Sequence, residues 1–429
     1  MNDICMDETL DFFSKPLSQS QIESNYYASY NPISSLDSNA PIEFNITGTG
    51  EHYFQFNKSY LLIKVKVTNI DGDTLNKAGV KCYPINNLFH SIIKQIDFYM
   101  NDKFISSSYN NYAYISYLQD LMNFSSDIQS SLLTSHLWEK DTPGAFDHVN
   151  EADNVGGLNR KKQFKDNQIT LAGRLHVDFF QQKNMLPNNI NIRLKIILND
   201  SKFIFMDAAD SKFKFHIENA IFYVQKFKIN PEFRIKMEKH LSHQNMIFPF
   251  TRSEVKTMSI TSGRNMYNLE NIFLGNIPTR IIFGFVESSA YYGNYINNPF
   301  NFQNLNINFL SIYVDGVAIP SQPLQPNFEK KDYTRCFLTL FEGTNSYYTE
   351  NAPHINYNEY GEGYTFFAFD LTENQCEDDN YNENRNGNVK LEVRFGTSLE
   401  TNATIIMYAD YNNKIEITRD RDIICNFSI

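Results

Sequence analysis

The sequence has few cysteines and no long apolar run. Its five cysteines lie far apart in 429 residues and none forms a CxxC pair, so neither a zinc cluster nor a disulfide framework is indicated, and we expect a reducing compartment. No apolar run approaches the ~18 residues of a membrane helix. The acidic start of the chain lacks the apolar core of a secretory signal, so we expect neither a membrane span nor secretion.

Positive charge is also scarce. The chain has 38 Lys and Arg against 49 Asp and Glu, and a net charge of −11. Proteins that condense nucleic acid neutralise phosphates with clustered cations, so tight direct binding of nucleic acid is not expected. The one notable basic cluster, Arg160-Lys161-Lys162 with Lys165, is interpreted as part of a solvated loop.

The common signatures of catalysis are missing. There is no phosphate-binding GxxxxGK[ST] loop, no GxSxG elbow and no HExxH pair. Ser91-Ile92-Ile93-Lys94 matches SxxK formally, but without the companion motifs of that enzyme class. His240 and His243 have the spacing of two ligands on one helix face, yet no third ligand lies nearby. The sequence therefore predicts no catalytic residue, no cofactor-binding residue, no metal ligand and no cofactor.

What the sequence does contain is a repeated β pattern. Residues 96–105 alternate apolar and polar side chains around Asn101-Asp102, and residues 310–319 do so around Asp315-Gly316, half a chain length later. Such pairs favour two-residue hairpin turns. Two further pairs of strand-like segments occur in the same order, 60–67 with 279–286 and 191–196 with 388–393. Any β-rich chain can yield some matches, but three collinear ones favour two similar β-domains in tandem.

Domain boundaries follow from this repeat. Residues 1–40 are polar and interrupted by proline, and we expect an irregular N-terminal arm that becomes ordered only in an assembly. Residues 41–215 are predicted to form the first β-domain and residues 216–429 the second.

Helical spacing of apolar residues predicts one helix from Asn111 to Phe124 and a short one from Ile128 to Trp138. Residues 141–167 carry no apolar period, so a long exposed loop is expected there.

Several short segments carry a resemblance to a known family: Pro32–Leu36, Ala40–Phe44, Gly48–Glu51, Ser135–Gly144 and Phe248–Arg252. Together they resemble the double jelly-roll major capsid proteins of the adenovirus–tectivirus lineage. Within it, the sequence is most similar to the hexon-like capsid proteins of adintoviruses and of Polinton (Maverick) elements. The likeness runs from about residue 10 to the C-terminus.

The resemblance implies an all-β protein of two tandem eight-stranded antiparallel jelly rolls, with a short helix in the first. It implies a major capsid protein without enzymatic activity, whose homotrimers form pseudo-hexagonal capsomers of an icosahedral DNA virus or a virus-like transposable element. The implied partners are other copies of the chain, neighbouring capsomers, a penton (minor capsid) protein and cement proteins. The implied location is the virion capsid, assembled in the cytoplasm or nucleus of the host cell.

Two alternatives stay open. Tandem jelly rolls also occur in secreted glycan amidases and copper monooxygenases, which need a secretion signal and, for copper, disulfides and several histidines. A pair of carbohydrate-binding modules would show exposed aromatic side chains, and the sequence does not separate buried from exposed tyrosine. The native mass distinguishes a trimeric capsomer from either alternative.

Overall fold

The strands of this protein form two sandwiches with the same strand order. The computed structural model describes residues 19–425 apart from residues 37–39, 49, 70–71, 78, 150–152, 209–211, 274, 348, 350–351 and 374–383.

The first sandwich has two four-stranded antiparallel sheets, of strand order β1-β10-β3-β7 and β2-β8-β5-β6, with the pair β4-β9 beside them. Its strands are β1 (Ile22–Tyr30), β2 (Ile42–Ile46), β3 (His52–Thr68), β4 (Cys82–Pro84), β5 (Ile93–Met100), β6 (Lys103–Ser107), β7 (Gln168–Gly173), β8 (Ile192–Leu198), β9 (Phe205–Asp207) and β10 (Lys214–Ile229).

The second sandwich has the sheets β11-β18-β13-β16, with β19 beside β18, and β12-β17-β14-β15. Its strands are β11 (Met246–Ile260), β12 (Met266–Leu269), β13 (Arg280–Glu287), β14 (Ile307–Val314), β15 (Val317–Leu324), β16 (Phe367–Asp370), β17 (Val389–Phe395), β18 (Ala403–Ile417) and β19 (Ile423–Cys425). When the eight main strands of each sandwich are numbered along the chain, both have sheets 1-8-3-6 and 2-7-4-5. This is the jelly-roll order, so the predicted all-β double jelly roll is confirmed.

The sequence repeat marks equivalent strands of the two jelly rolls. The hairpin β5-β6 turns at Asn101 (φ 45°) and Asp102 (φ 61°), and β14-β15 turns at Asp315 (φ 49°) and Gly316 (φ 84°). Each hairpin joins the fourth and fifth strands of its jelly roll, so the two turns occupy equivalent positions in the strand order. The other two matched pairs fall on β3 with β13 and on β8 with β17.

Both predicted domain boundaries need correction. β1 lies inside the expected arm of residues 1–40 and pairs with β10, so this part of the arm is a strand of the first jelly roll and not irregular. Residues 1–18 lie outside the described residues. β10 runs through the predicted junction at 215/216 and pairs with β3 as the eighth strand of the first jelly roll. β1 gave no signal because it is a largely exposed edge strand without apolar alternation. We therefore propose 22–229 for the first jelly roll and 246–425 for the second.

Helices occupy the connections between strands. They are α1 (Leu88–Ser91), α2 (Tyr112–Asn123), α3 (Ser126–Ser130), α4 (Val155–Lys162), α5 (Ser201–Ile204), α6 (Pro231–Leu241), α7 (Ser288–Tyr292), α8 (Thr334–Gly343) and α9 (Tyr357–Tyr360), with 3₁₀ turns at Leu132–His136 and Asp178–Gln181. None of the helices in the described part of the chain is long and apolar enough to cross a membrane.

The helix predictions were partly correct. The helix predicted from Asn111 to Phe124 is confirmed as α2. The second predicted helix is divided into α3 and the first 3₁₀ turn, which ends where Leu137 takes a left-handed conformation (φ 60°). The expected exposed loop at 141–167 is wrong, because it contains α4 and buried polar residues. Asn154 begins α4 by accepting a hydrogen bond from the Gly157 N–H.

The cysteines in the described part of the chain do not form disulfides. Cys82, Cys336 and Cys425 are free thiols, and the first two are buried. Cys5 and Cys376 lie outside the described residues.

Candidate functional site: the seam between the jelly rolls

The contact between the two jelly rolls is here called the seam, and its central element is α2. This helix belongs to the connection between β6 and β7, yet all its residues from Tyr112 to Met122 are buried. Most of them pack into the hydrophobic core of the second jelly roll. Tyr117 stacks on Phe300 with ring centroids 4.1 Å apart, and Tyr114 stacks on Tyr291 at 5.8 Å. A helix that is apolar on several faces has to be enclosed, and α2 is enclosed between the two jelly rolls.

One polar side chain of α2 connects three parts of the molecule. The Gln119 amide nitrogen donates to Tyr408 Oη at 3.0 Å and to Ser253 Oγ at 3.2 Å, both in the second jelly roll. Its amide oxygen lies 2.6 Å from His176 Nδ1 in the first. Ser253 Oγ in turn donates to Asp410 Oδ1 at 3.0 Å. Gln119 therefore fixes the position of α2 relative to both domains.

Asn111, directly before α2, makes a second polar contact across the seam. Its amide nitrogen donates to the Val255 carbonyl at 3.3 Å, and its oxygen accepts from the Tyr291 hydroxyl at 3.1 Å.

A buried ion pair supports the next part of the seam. Arg160 of α4 and Asp141 are both fully buried and lie 2.5 Å apart, and Arg160 also donates to the carbonyls of Pro84 and Glu139. The Asp141 carbonyl accepts from the Tyr364 hydroxyl of the second jelly roll at 2.8 Å. The prediction that residues 160–165 form a solvated basic cluster is therefore wrong for Arg160, which is buried. No sequence pattern indicated this, because Asp141, the acid that pairs with Arg160, lies 19 positions earlier in the chain.

The same correction applies to Lys161. Its side chain is buried and donates to the Val80 carbonyl at 2.6 Å. Lys162 and Lys165 are exposed, as expected.

The segment after Asp141 locks into the loops of the second jelly roll. Asp147 accepts hydrogen bonds at 2.6 Å from the Asn298 N–H and from the Asn301 amide, and burial raises the pKa of this carboxyl group. Phe146 packs edge-on against Tyr364 with centroids 4.9 Å apart. Gly363 (φ 100°) allows this approach, because a Cβ there would lie 2.3 Å from the Phe146 ring.

The other end of the seam joins the first hairpin to the end of the second jelly roll. The Asn101 side chain donates to the Arg421 carbonyl and the Lys103 ammonium group to the Ile423 carbonyl, each at 2.9 Å. Phe179 packs against Phe248 of β11 at 5.9 Å between centroids. The seam thus holds the jelly rolls together at three separate places.

Large side chains remain exposed outside the seam. On β1, Tyr26 and Tyr27 are nearly half exposed (46% and 47%), and among the described strands β1 pairs only with β10. Tyr26 packs on His52 and Tyr27 on Tyr60 across the same sheet. An edge strand with exposed tyrosines has the composition of a protein–protein contact.

The candidate ligands considered from the sequence are not brought together. His240 lies on the exposed face of α6 and His243 follows it, and neither belongs to the group of possible metal ligands found in the described residues. Ser91 ends α1, and its hydroxyl donates to the Asn86 carbonyl. The sequence analysis did not identify Gln119, Asp141 and Arg160 as residues of the seam, because no regular spacing links them. The only signal in the sequence for the seam was the apolar composition of α2, which indicates a helix enclosed on several sides.

Comparisons with known proteins were made by sequence and by structure. No protein-family model matches the chain. An uncharacterised protein of Caenorhabditis elegans is 25% identical over 395 residues, which cover 89% of this chain and 91% of that protein.

Solved structures with the same fold come from viruses. A chain of the Sputnik virophage structure has a TM-score of 0.67 at 11% identity and covers 99% of this chain and 93% of its own. A chain of the PBCV-1 capsid has a TM-score of 0.58 at 10% identity (97% and 100% covered), and the mavirus major capsid protein has 0.55 at 11% (99% and 95%). These neighbours are double jelly-roll major capsid proteins, and the likeness shows that this chain shares their fold.

Proposed function

We propose that this chain is a major capsid protein, a structural subunit without enzymatic activity. The observation that carries the proposal is the fusion of two jelly rolls of identical strand order into one body through a buried seam. The two similar jelly rolls are held at a fixed distance from each other. Each can therefore make a similar contact with its neighbours, as the repeated contacts of a closed shell require. The likeness to capsid chains over 93–100% of their length supports it.

The proposed assembly unit is a homotrimer. Three copies of a two-domain subunit place six similar jelly rolls around one axis, which gives a near-hexagonal tile. A threefold ring needs a heterologous interface that closes after three copies. An obligate interface of this kind buries ~2,000 Å² or more.

The edge strand β1 is a candidate contact within this trimer. Its open edge and the exposed rings of Tyr26 and Tyr27 would be covered by a neighbouring subunit.

The proposed source is a virus or element of the adintovirus and Polinton type, and the proposed site of action is the virion capsid, assembled inside the host cell. The nematode relative of nearly equal length supports a gene carried in animal genomes. The other proposed partners are neighbouring capsomers, a penton protein and cement proteins.

Native mass tests the proposal. Light scattering of the purified chain is expected to give three times 49.9 kDa, and Tyr26→Ser with Tyr27→Ser is expected to shift the mass toward the monomer. Tyr109→Ser is the matched control, because Tyr109 is also exposed (53%) but lies outside β1. A folded wild-type protein that stays monomeric at micromolar concentration and forms no particles would contradict the capsid role.

A further inference from the structure

Three possible metal ligands from distant parts of the sequence meet in the interior of the first jelly roll. They are His90 on α1, Asp120 on α2 and His136 at the end of the first 3₁₀ turn. His90 and Asp120 are fully buried and His136 is 6% exposed. One ligand atom from each lies within 4.8 Å of the other two.

Two ring nitrogens in this cluster lack a hydrogen-bond partner. Within the described residues, His90 Nε2 and His136 Nδ1 are buried and no side-chain or backbone group donates to them or accepts from them. A buried polar atom without a partner is unfavourable and rare in native proteins. A cation bound by both nitrogens would satisfy them.

The side chains of the cluster are of the kinds that bind metals. An imidazole binds a metal through the unprotonated nitrogen of its neutral ring. Asp120 adds a carboxylate, and His176 Nε2 lies 3.0 Å from its Oδ1.

Neighbouring groups already orient these ligands. His90 Nδ1 lies 2.9 Å from Tyr112 Oη, and metal binding requires the tautomer in which this nitrogen donates. The Asn87 amide donates to Asp120 Oδ2 at 2.7 Å. Such outer contacts fix ring tautomer and carboxylate position in metal sites.

Gly173 leaves the space that His136 occupies. A Cβ at this position would lie 2.4 Å from His136 Nε2. The His136 imidazole can therefore take this position only because residue 173, at the end of β7, is a glycine.

We propose that His90, Asp120 and His136 bind a divalent transition-metal ion, with Zn²⁺ as the first candidate. Two imidazoles and a carboxylate form a donor set typical of zinc, whereas Ca²⁺ and Mg²⁺ prefer oxygen ligands alone. Tetrahedral zinc with bonds of ~2.0–2.1 Å places its donors ~3.4 Å apart. His90 Nε2 and Asp120 Oδ2 are 3.9 Å apart, and the three ligand atoms lie within 4.8 Å of one another. Binding therefore requires the donors to move inward, by up to ~1.4 Å for the widest pair.

The bound ion would stabilise the seam. It connects α1 and the 3₁₀ turn to α2, the helix enclosed between the jelly rolls. Gln119, adjacent to Asp120, contacts His176 on one side and Tyr408 of the second jelly roll on the other. Removal of the ion is therefore expected to loosen the contact between domains as well as the first jelly roll.

Metal binding by the full-length chain tests the proposal. After treatment with a chelator, equilibrium dialysis against Zn²⁺ is expected to give one ion per chain and to raise the unfolding temperature. Co²⁺ in its place is expected to give the visible absorption of a four-coordinate site with nitrogen ligands. Asp120→Asn and His136→Gln are expected to weaken Zn²⁺ binding by at least ~10²-fold.

The controls are His240→Gln and His243→Gln, because these exposed histidines lie on and just after α6, away from the cluster. Equal loss of binding in the controls, or fewer than one ion in five wild-type chains, would refute the site. If a cluster variant does not fold, the wild-type stoichiometry and Co²⁺ spectrum decide alone, since surface histidines give no four-coordinate spectrum.

Discussion

At the scale of single residues, Arg160 shows how burial changes the meaning of a basic cluster. Three consecutive cations in the sequence suggest a solvated surface, but only Lys162 among them is exposed. The Arg160 guanidinium group has exchanged water for the Asp141 carboxylate and two backbone carbonyls. Arg160 therefore stabilises the interior of the protein. Removal of either partner of this ion pair leaves the other with a buried charge that nothing neutralises.

Substitution of Arg160 by Met is therefore expected to lower the free energy of unfolding by ~3–5 kcal/mol, because Asp141 keeps a buried charge without its partner. Lys162→Met, two positions further along the same helix, is expected to change it by less than ~0.5 kcal/mol. Urea unfolding measures both variants. Similar values for the two would mean that the ion pair contributes nothing.

At the scale of elements, the sequence pattern predicted those helices and hairpins whose structure is determined by residues close together in the chain. Helix α2 and the two hairpins were predicted because apolar spacing and turn residues lie within a few positions of each other. β1 and α4 were not, since β1 forms by pairing with β10 and α4 is held by Asp141. The contacts of the seam also join residues more than 100 positions apart, as Gln119 and Tyr408 do. No local signal encodes such contacts.

The loop of Gly363 provides a test of how closely the seam is packed. Gly363→Ala is expected to destabilise the protein by ~2–4 kcal/mol, because Ala adds both left-handed backbone strain and a clash with Phe146. Gly263→Ala is the matched control: its φ is also positive (81°), but nothing lies within 4 Å of the added Cβ. Only the strain of ~1–2 kcal/mol applies there. Equal shifts in unfolding temperature would show that the loop moves away freely.

At the scale of the whole molecule, the net charge of −11 opposes DNA binding. The structure strengthens this expectation, because the suspected basic cluster retains only Lys162 and Lys165 as exposed cations. Two cations neutralise too few phosphates for tight non-specific binding.

Filter binding of duplex DNA at ~150 mM salt is expected to give a Kd no tighter than ~10⁻⁴–10⁻⁶ M. Lys162→Ser with Lys165→Ser should leave this value unchanged, and the single exposed substitution Lys183→Ser serves as the control. Submicromolar affinity that the double substitution abolishes would instead identify an inward-facing DNA contact.

The strand order also determines how long some elements remain without their partners while the chain is being synthesised. β1 pairs with β10, and roughly 180 residues separate the end of the one from the start of the other. At a translation rate of ~5–20 residues per second, β1 waits ~10–40 s on the ribosome before its partner emerges. Helix α2 waits longer, because the core that encloses it belongs to the second jelly roll. During this delay the apolar face of α2 and the edge of β10's partner strands lack their final contacts, so we expect the yield of folded protein to depend on protection of the nascent chain.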